Sequence, residues 1–486
     1  MKSPYLKFLQ SKNNTELYTI SHVKRFLECF TGDNKFRADV LSSNASLEKI
    51  ARERGCFIDN LKSLRPVFDE NYSGYRQGAS LGDWPLTAIW DEYYEAMRSS
   101  LPYYTWIGDS NGEFPEFDNW RKRQIARTIT DVGTSAQFLV HPPVCYELSE
   151  GCSVGCWFCG ISAKKFGGHF PLENGGREFW KDVLEATNSV IGRGMATGFC
   201  YWATEPLDHP QYDEFIKVYQ DIVGVIPQTT TAIPLKNMPL TKKVLALWQS
   251  NRFSPVRFSV LTTSIMKRIH SSFSAEELLG VELILQSSES LQAKSIAGKA
   301  FSEKGADLAY KKADDMQDGT IACVTGFLVS MPLRKVKLIS PTIPSKEWPD
   351  GYYVFSERVF NSGKELANAM REMVLAESNR VVKTDTPIQI NKNFQFESVD
   401  GIQTLKSRHS VVQMEIFSSM GPMLQSGIFT PSQIIKQSVI DGYDPILSIA
   451  IMRDLINVGI IGNQLRPKFQ RTEIPYNEIL RIKERP

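Results

Sequence analysis

Between about residues 136 and 345 the chain alternates short apolar strands with amphipathic helices, and this alternation restricts the fold more than any other feature. QFLVHPPVCYEL, GFCYWA, VIPQTTTAI, VRFSVLT and VELIL read as strands; REFWKDVLEATNSVI, QYDEFIKVYQDI, LTKKVLALWQ and the short AEELL read as helices between them. Strand and helix in turn are the pattern of βα units, whose strands run parallel under covering helices. The expected class is α/β, with a parallel sheet or barrel.

The flanks read differently. Residues 1–66 form a small helical module (VKRFLECF, FRADVL, SLEKIARERG with Gly55 as a stop, IDNLKSL) whose apolar positions Phe26, Leu27, Phe30, Val40, Leu41, Ile50 and Leu61 recur at helical spacing. Residues 67–135 carry two longer helices, LTAIWDEYYEAMRS and FDNWRKRQIARTI, split by a turn-rich stretch around Gly108 to Phe117. After a connecting segment, 346–382, residues 383–465 give two or three strands and then three helices, a winged-helix-like order. Thr430-Pro431-Ser432-Gln433 is a capping box opening the second of these helices, and Gly459 stops the third. A basic tail, 466–486, with Arg466, Lys468, Arg471, Arg481, Lys483 and Arg485, closes the sequence.

Lysine plus arginine number 56 against 54 acidic residues, so the net charge of +2 gives no electrostatic case for nucleic acid or an anionic membrane. No run of eighteen apolar residues exists and the first twenty residues hold no signal-peptide core, so a cytoplasmic protein is expected. The six histidines, His22, His141, His169, His209, His270 and His409, show no ligand spacing.

Three of the eight cysteines crowd into EGCSVGCWFCG, where Cys152, Cys156 and Cys159 follow Cys-x3-Cys-x2-Cys directly after the strand VCYEL. Chance delivers this spacing only roughly 0.002 times in such a chain, which points to a built metal site in a reducing compartment. Three thiolates on one loop can bind three irons of a [4Fe–4S] cubane and leave the fourth iron open to chelate the amino and carboxylate groups of S-adenosylmethionine (SAM). A structural zinc knuckle with Cys145 as fourth ligand is the alternative, although no second Cys pair accompanies it.

The motif resembles that of the radical SAM superfamily. The resemblance implies a partial (β/α)6 barrel with the cysteine loop at its C-terminal mouth, and Phe158, just before the third cysteine, lying near the adenine. It also implies that Glu205, in CYWATEPLDHP, receives the methionine ammonium, although Ala203 and Thr204 replace the usual glycines. Thr230 and Ser259 end later strands within reach of the ribose or the methionine carboxylate. Trp157 and Trp202, beside motif residues, read first as core packing.

YELSEGCSVGCWFCGISA, GTIACVTGFLVSM and LISPTIPSKEWPDGYYVF resemble the proteusin-type peptide epimerases of ribosomal peptide maturation. That resemblance implies a SAM-consuming enzyme that abstracts a Cα hydrogen from an L-residue of a leader-bearing precursor peptide, then returns hydrogen from a cysteine thiol to the opposite face. It requires an external electron donor. Cys323 matches the family segment for the donor, ahead of Cys29, Cys56, Cys145 and Cys200. The absence of cysteine after Cys323 favours one cluster. The C-terminal domain is similar to precursor-recognition modules, which capture a peptide by strand addition, and the N-terminal module is similar to a Nif11-type leader. Crosslink formation by a radical SAM enzyme and a non-catalytic zinc-knuckle peptide binder are the competing readings.

Overall fold

A computed structural model describes residues 2–42, 47–80, 82–250, 253, 255–292, 294–301, 316–378, 385–391, 394–399, 402–407, 411–414 and 419–462. The basic tail lies outside the described residues. Two compact units emerge, one comprising Met1–Asn379 with Ser407–Ser410 and Asn457–Gly459, the other Arg380–Lys406, Val411–Ile456 and Ile460–Pro486.

In the larger unit, Asn13 opens the helix Asn14–Gly32 with a reciprocal capping box to Glu16. Phe26, Phe30, Val40 and Leu61 are buried in one core with Cys29 and Cys56, as their spacing anticipates. Leu41 departs from that pattern and is 48% exposed, because the helix Asn34–Ser42 buries the face carrying Phe36 and Val40, and Leu41 lies at the next position round. The helices Pro85–Ile107 and Pro115–Val132 follow, joined by a turn held by the Asp118 carboxylate, which accepts from Ser110 N, Ser110 Oγ and Gly112 N.

The α/β portion is built on parallel pairing in chain order. Val144–Glu147 bridges to Phe199, Phe199 to Gln228, and Thr230–Thr231 pairs with Val256–Val260, which pairs with Val281–Leu285. Helices Gly176–Ile191, Tyr212–Val223, Met238–Ser250 and Thr263–Ser272 run between these segments. The last of them replaces the expected AEELL helix: Thr262 caps it by accepting from Ile265 N, while 275–279 forms a turn. On the other side of Val144–Glu147 lies Gly326–Ser330, also parallel, then the antiparallel strands Lys335–Pro341 and Tyr352–Val359. Residues 346–382 are therefore more than a connector. They carry that last strand and the helix Gly363–Ser378, whose Leu366, Met370, Met373 and Val374 enter the main core.

The sheet separates two apolar environments. Val144, Tyr146, Val256, Phe258, Val260, Val281, Leu283 and Leu285 face the helices, whereas Cys145, Phe199 and Leu328 belong to a second cluster on the inner face. The smaller unit has a three-stranded antiparallel sheet, Gln395–Val399, Ile402–Lys406 and Val411–Met414, and helices Met420–Ser426, Pro431–Ile440 and Pro445–Asn457 around Leu405, Leu424, Ile434, Met452 and Leu455. Thr430 and Gln433 form the anticipated capping box. The architecture is mixed α/β. Among the described residues, no helix is long and apolar enough to cross a membrane.

Candidate active site

The three-cysteine loop begins where the first strand ends. A two-residue hairpin, Ser149–Glu150 with Gly168–His169, closes its base, and Cys152 N donates to Lys164 O at 2.9 Å. Gly151 has φ +71° and a Cβ there would overlap the Lys164 and Lys165 carbonyls, so only glycine lets the two arms approach this closely. Gly155, φ +67°, turns the chain between Cys152 and Cys156.

Cys152, Cys156 and Cys159 are free thiols, each half-buried. Val154 N donates to Cys152 Sγ at 3.4 Å and Ala163 N to Cys159 Sγ at 3.3 Å, so the loop's amides already turn toward sulfur. Burial, then the fields of Cys159 and Cys152, pushes Cys156 up to about 11; Cys152 is raised by burial, with Glu205 and Asp208 adding to it. Among the described residues no group of three or more His, Cys, Asp or Glu is arranged to hold one metal ion. That arrangement is not what a cubane asks for, since each thiolate meets a different iron. A zinc knuckle does require it, and its fourth ligand is misplaced: Cys145 is fully buried among Phe199, Leu328 and Ile339. Three partly exposed thiols on one loop, with backbone N–H groups directed at two of them, are donors of the kind an iron–sulfur cluster takes.

Glu205 ends the second parallel segment, 3% exposed. Its Oε1 accepts from Leu207 N (3.1 Å) and Thr231 Oγ1 (2.6 Å), and Oε2 accepts from Ala232 N (2.8 Å), which ties this turn to the next strand. Burial pushes its carboxyl up to about 7 against these donors. Three donors leave a carboxylate capacity for one more, so the geometry accommodates both a structural clip and a cation site.

Thr230 and Ser259 lie on strands facing the interior, partly exposed. Thr230 Oγ1 lies 2.8 Å from Tyr201 Oη and accepts from Gln228 Nε2 at 2.9 Å. Two residues before Ser259, on the same face, Arg257 Nε pairs with Glu282 at 2.5 Å. Phe158 is half-buried with its ring edge-on to Trp157; Trp202 is buried as expected, whereas Trp157 is 48% exposed and so is not core.

Cys323 belongs to a segment that packs against the cysteine loop. Its neighbour Ile321 lies so close to Gly160 that a methyl group there would collide with it, and Lys299 N donates to Cys159 O at 2.8 Å from the adjoining turn. Cys323 joins the inner cluster with Ile161 and Tyr201 and lies in the field of Arg257; burial raises its thiol to about 11. Cys200 is buried in the opposite, helix-side core, and Cys29 and Cys56 in the N-terminal one.

Sequence reasoning missed Asp208, Tyr201, Gln228, Arg257 and Glu282. The signal for the last two was present, since VRFSV and VELIL each place one charge among alternating apolar residues.

No protein-family profile matches the chain. The uncharacterized protein y4wI of Sinorhizobium fredii (strain NBRC 101917 / NGR234) is 37% identical over 457 residues, covering 93% of this chain and 89% of that protein. A solved structure of BtrN in complex with AdoMet and 2-DOIA aligns with 40% of this chain and 72% of BtrN at 13% identity, with a TM-score of 0.27, too low to carry an argument. With identity at this level across nearly the full length of both sequences, the chain belongs to the family of the Sinorhizobium y4wI protein.

Proposed function

We propose that this chain is a radical SAM enzyme with a partial (β/α)6 barrel and, within that class, a peptide epimerase that converts L-residues to D-residues in a ribosomally made, leader-bearing precursor. Cys152, Cys156 and Cys159 would hold one [4Fe–4S] cluster, which when bound supplies the electron that splits SAM into methionine and the 5′-deoxyadenosyl radical. Glu205 offers its remaining acceptor capacity to the methionine ammonium, Phe158 its ring to the adenine, and Thr230 and Ser259 their hydroxyls to the ribose or carboxylate.

The observation that carries the epimerase reading is Cys323: a thiol that is not a loop ligand, on a segment touching the loop, partly exposed on the inner face. Hydrogen return needs S–H rather than thiolate, and a thiol held up at about 11 keeps its hydrogen at neutral pH. After transfer the Cys323 sulfur is one hydrogen atom short, made good by an electron from the external donor and a proton from solvent. The smaller unit would receive the leader, the outer strands Gln395–Val399 and Val411–Met414 each being paired on one side within that sheet.

The test is anaerobic turnover of the reconstituted protein with a co-expressed precursor in D2O. Epimerisation leaves one deuterium at each inverted Cα and a D-residue by chiral analysis; loss of two hydrogens would instead identify crosslinking. Protein that carries no iron and releases no 5′-deoxyadenosine would overturn the radical SAM assignment itself.

A further inference from the structure

A second group of reactive side chains lies away from the candidate active site, where the helix Asn14–Gly32 meets the helix Thr263–Ser272. His270 Nδ1 is 3.6 Å from Cys29 Sγ, and His270 Nε2 is 3.1 Å from Glu28 Oε2. The other Glu28 oxygen pairs with Lys24. Cys56, after the helix Leu47–Arg52, directs its thiol at Arg54 O, 3.9 Å away, and shares one apolar core with Cys29, the two being 0% and 2% exposed. Arg25, whose Nη2 donates to Phe273 O at 2.6 Å, is the further charge facing Cys56.

A buried imidazole between a carboxylate and a sulfur is stabilised as imidazolium, since both neighbours reward its positive charge. His270 is accordingly raised to about 9, and Cys29 is held down by the nearby Cys56 thiol and by His270. Cys56 is pushed far up and keeps its proton. One sulfur is thus prepared to attack and its neighbour to resolve, with the thiolate oriented as nucleophiles are oriented by a base and a third group.

We propose that Cys29 and Cys56 form an oxidisable dithiol, a modification site for small peroxides, in which Cys29 attacks, His270 supplies the proton and Cys56 resolves. An S–O bond forms as the O–O bond breaks, and the His270 proton leaves with the departing hydroxide as water. The Cys56 sulfur then displaces the second oxygen, which departs as water with the Cys56 proton, leaving the disulfide. Two electrons pass from the sulfurs to the peroxide. Burial restricts the oxidant to one that reaches the site by local opening. The disulfide removes the thiolate partner of His270, on the helix that follows the strand carrying Arg257 and Ser259. This inference stands whether or not the function proposed above is correct.

The experiment treats the full chain with hydrogen peroxide at neutral pH, blocks remaining thiols by alkylation and quantifies the Cys29–Cys56 bridge by peptide mass spectrometry. The bridge is expected to form, at a rate that rises less between pH 7 and 8.5 than the roughly fifteenfold gain of an ordinary thiol. His270→Asn should slow it at least about tenfold, and Cys56→Ser should accumulate a dimedone-reactive Cys29. Absence of the bridge while other cysteines oxidise would overturn the proposal, as would an unreactive Cys29 in Cys56→Ser, which decides the matter even if His270→Asn fails to fold. Equal rates in wild type and a folded His270→Asn would remove the histidine from it.

Discussion

The Asp208 carboxylate accepts both the backbone N–H (2.8 Å) and the hydroxyl (2.5 Å) of Ser153, the residue that follows the first cysteine of the loop. Its side chain is 3% exposed, and Lys236 stands 3.5 Å from it. Asp208 ends the turn that Glu205 opens, so the cysteine loop and the carboxylate proposed for SAM are parts of one clamped structure.

Hydrogen bonds to a charged, buried acceptor contribute about 1.5–3 kcal/mol each. Asp208→Ala removes two of them and frees the loop at Cys152. After reconstitution, iron release to a chelator should be at least about threefold faster, with the circular dichroism spectrum unchanged. Ser153→Ala keeps the backbone bond and should show a smaller effect. Release at the wild-type rate in Asp208→Ala would mean that the clamp does not hold the cluster loop.

Stability should fall on acidification for a reason visible at His209. Its Nε2 donates to Phe170 O at 2.8 Å and its Nδ1 accepts from Gln211 N at 3.1 Å, which requires the neutral ring; protonation would set Nδ1–H against an amide N–H. Burial lowers its pKa to about 4. A histidine depressed in the folded state takes up its proton more readily when unfolded, so its contribution is complete above pH 6.5 and is lost as the pH falls toward 4. Between pH 6.5 and 4.5 the wild type should lose about 2 kcal/mol more than His209→Gln in urea titrations. Parallel pH profiles for the two proteins would contradict this.

The placement of three cysteines separates their roles. Cys323→Ala should still release 5′-deoxyadenosine and abstract hydrogen but yield little D-residue. Cys200→Ala, altered on the helix side of the sheet, should retain epimerisation with a modest loss of stability, about 1 kcal/mol for a small buried side chain. Cys145→Ala, altered on the inner face in a fully buried position, should also retain it. Normal D-product from Cys323→Ala would exclude Cys323 as the donor.

Much of this organisation is readable from residues alone, and the exceptions have physical causes. The strands Val144–Glu147, Val256–Val260 and Val281–Leu285 and the helices Gly176–Ile191, Tyr212–Val223 and Met238–Ser250 were evident because period-2 and period-3.6 patterns differ over only a few residues, whereas GFCYWA pairs only through a bridge at Phe199. The helix Thr263–Ser272 was overlooked because TSIMKRIHSS is largely polar and buries only Met266 and Ile269, although its Thr262 cap was legible. The strand Tyr352–Val359 was obscured by the turn residues of PTIPSKEWPDG before it and by its mixed burial. Loop cysteines are set by spacing, but contacts such as Ser153–Asp208 or Cys29–His270 join residues 55 and 241 positions apart, and no local pattern encodes them.

Glu205 invites the sharpest separation of structure from binding. As a clip it needs acceptors, and as a cation site it needs charge; Glu205→Gln removes the charge and one acceptor, while Thr231→Val removes only a donor to it. If Glu205 faces the methionine ammonium, the Kd for SAM should rise at least about tenfold in Glu205→Gln, or 1.4 kcal/mol, and much less in Thr231→Val. With its carboxyl raised to about 7, the charged form grows as pH increases through neutrality. Wild-type SAM binding, measured anaerobically by equilibrium dialysis, should therefore tighten from pH 6 to 8, and Glu205→Gln should lose that dependence. Equal affinities for wild type and Glu205→Gln, with a lowered Tm in both variants, would leave Glu205 the structural role alone.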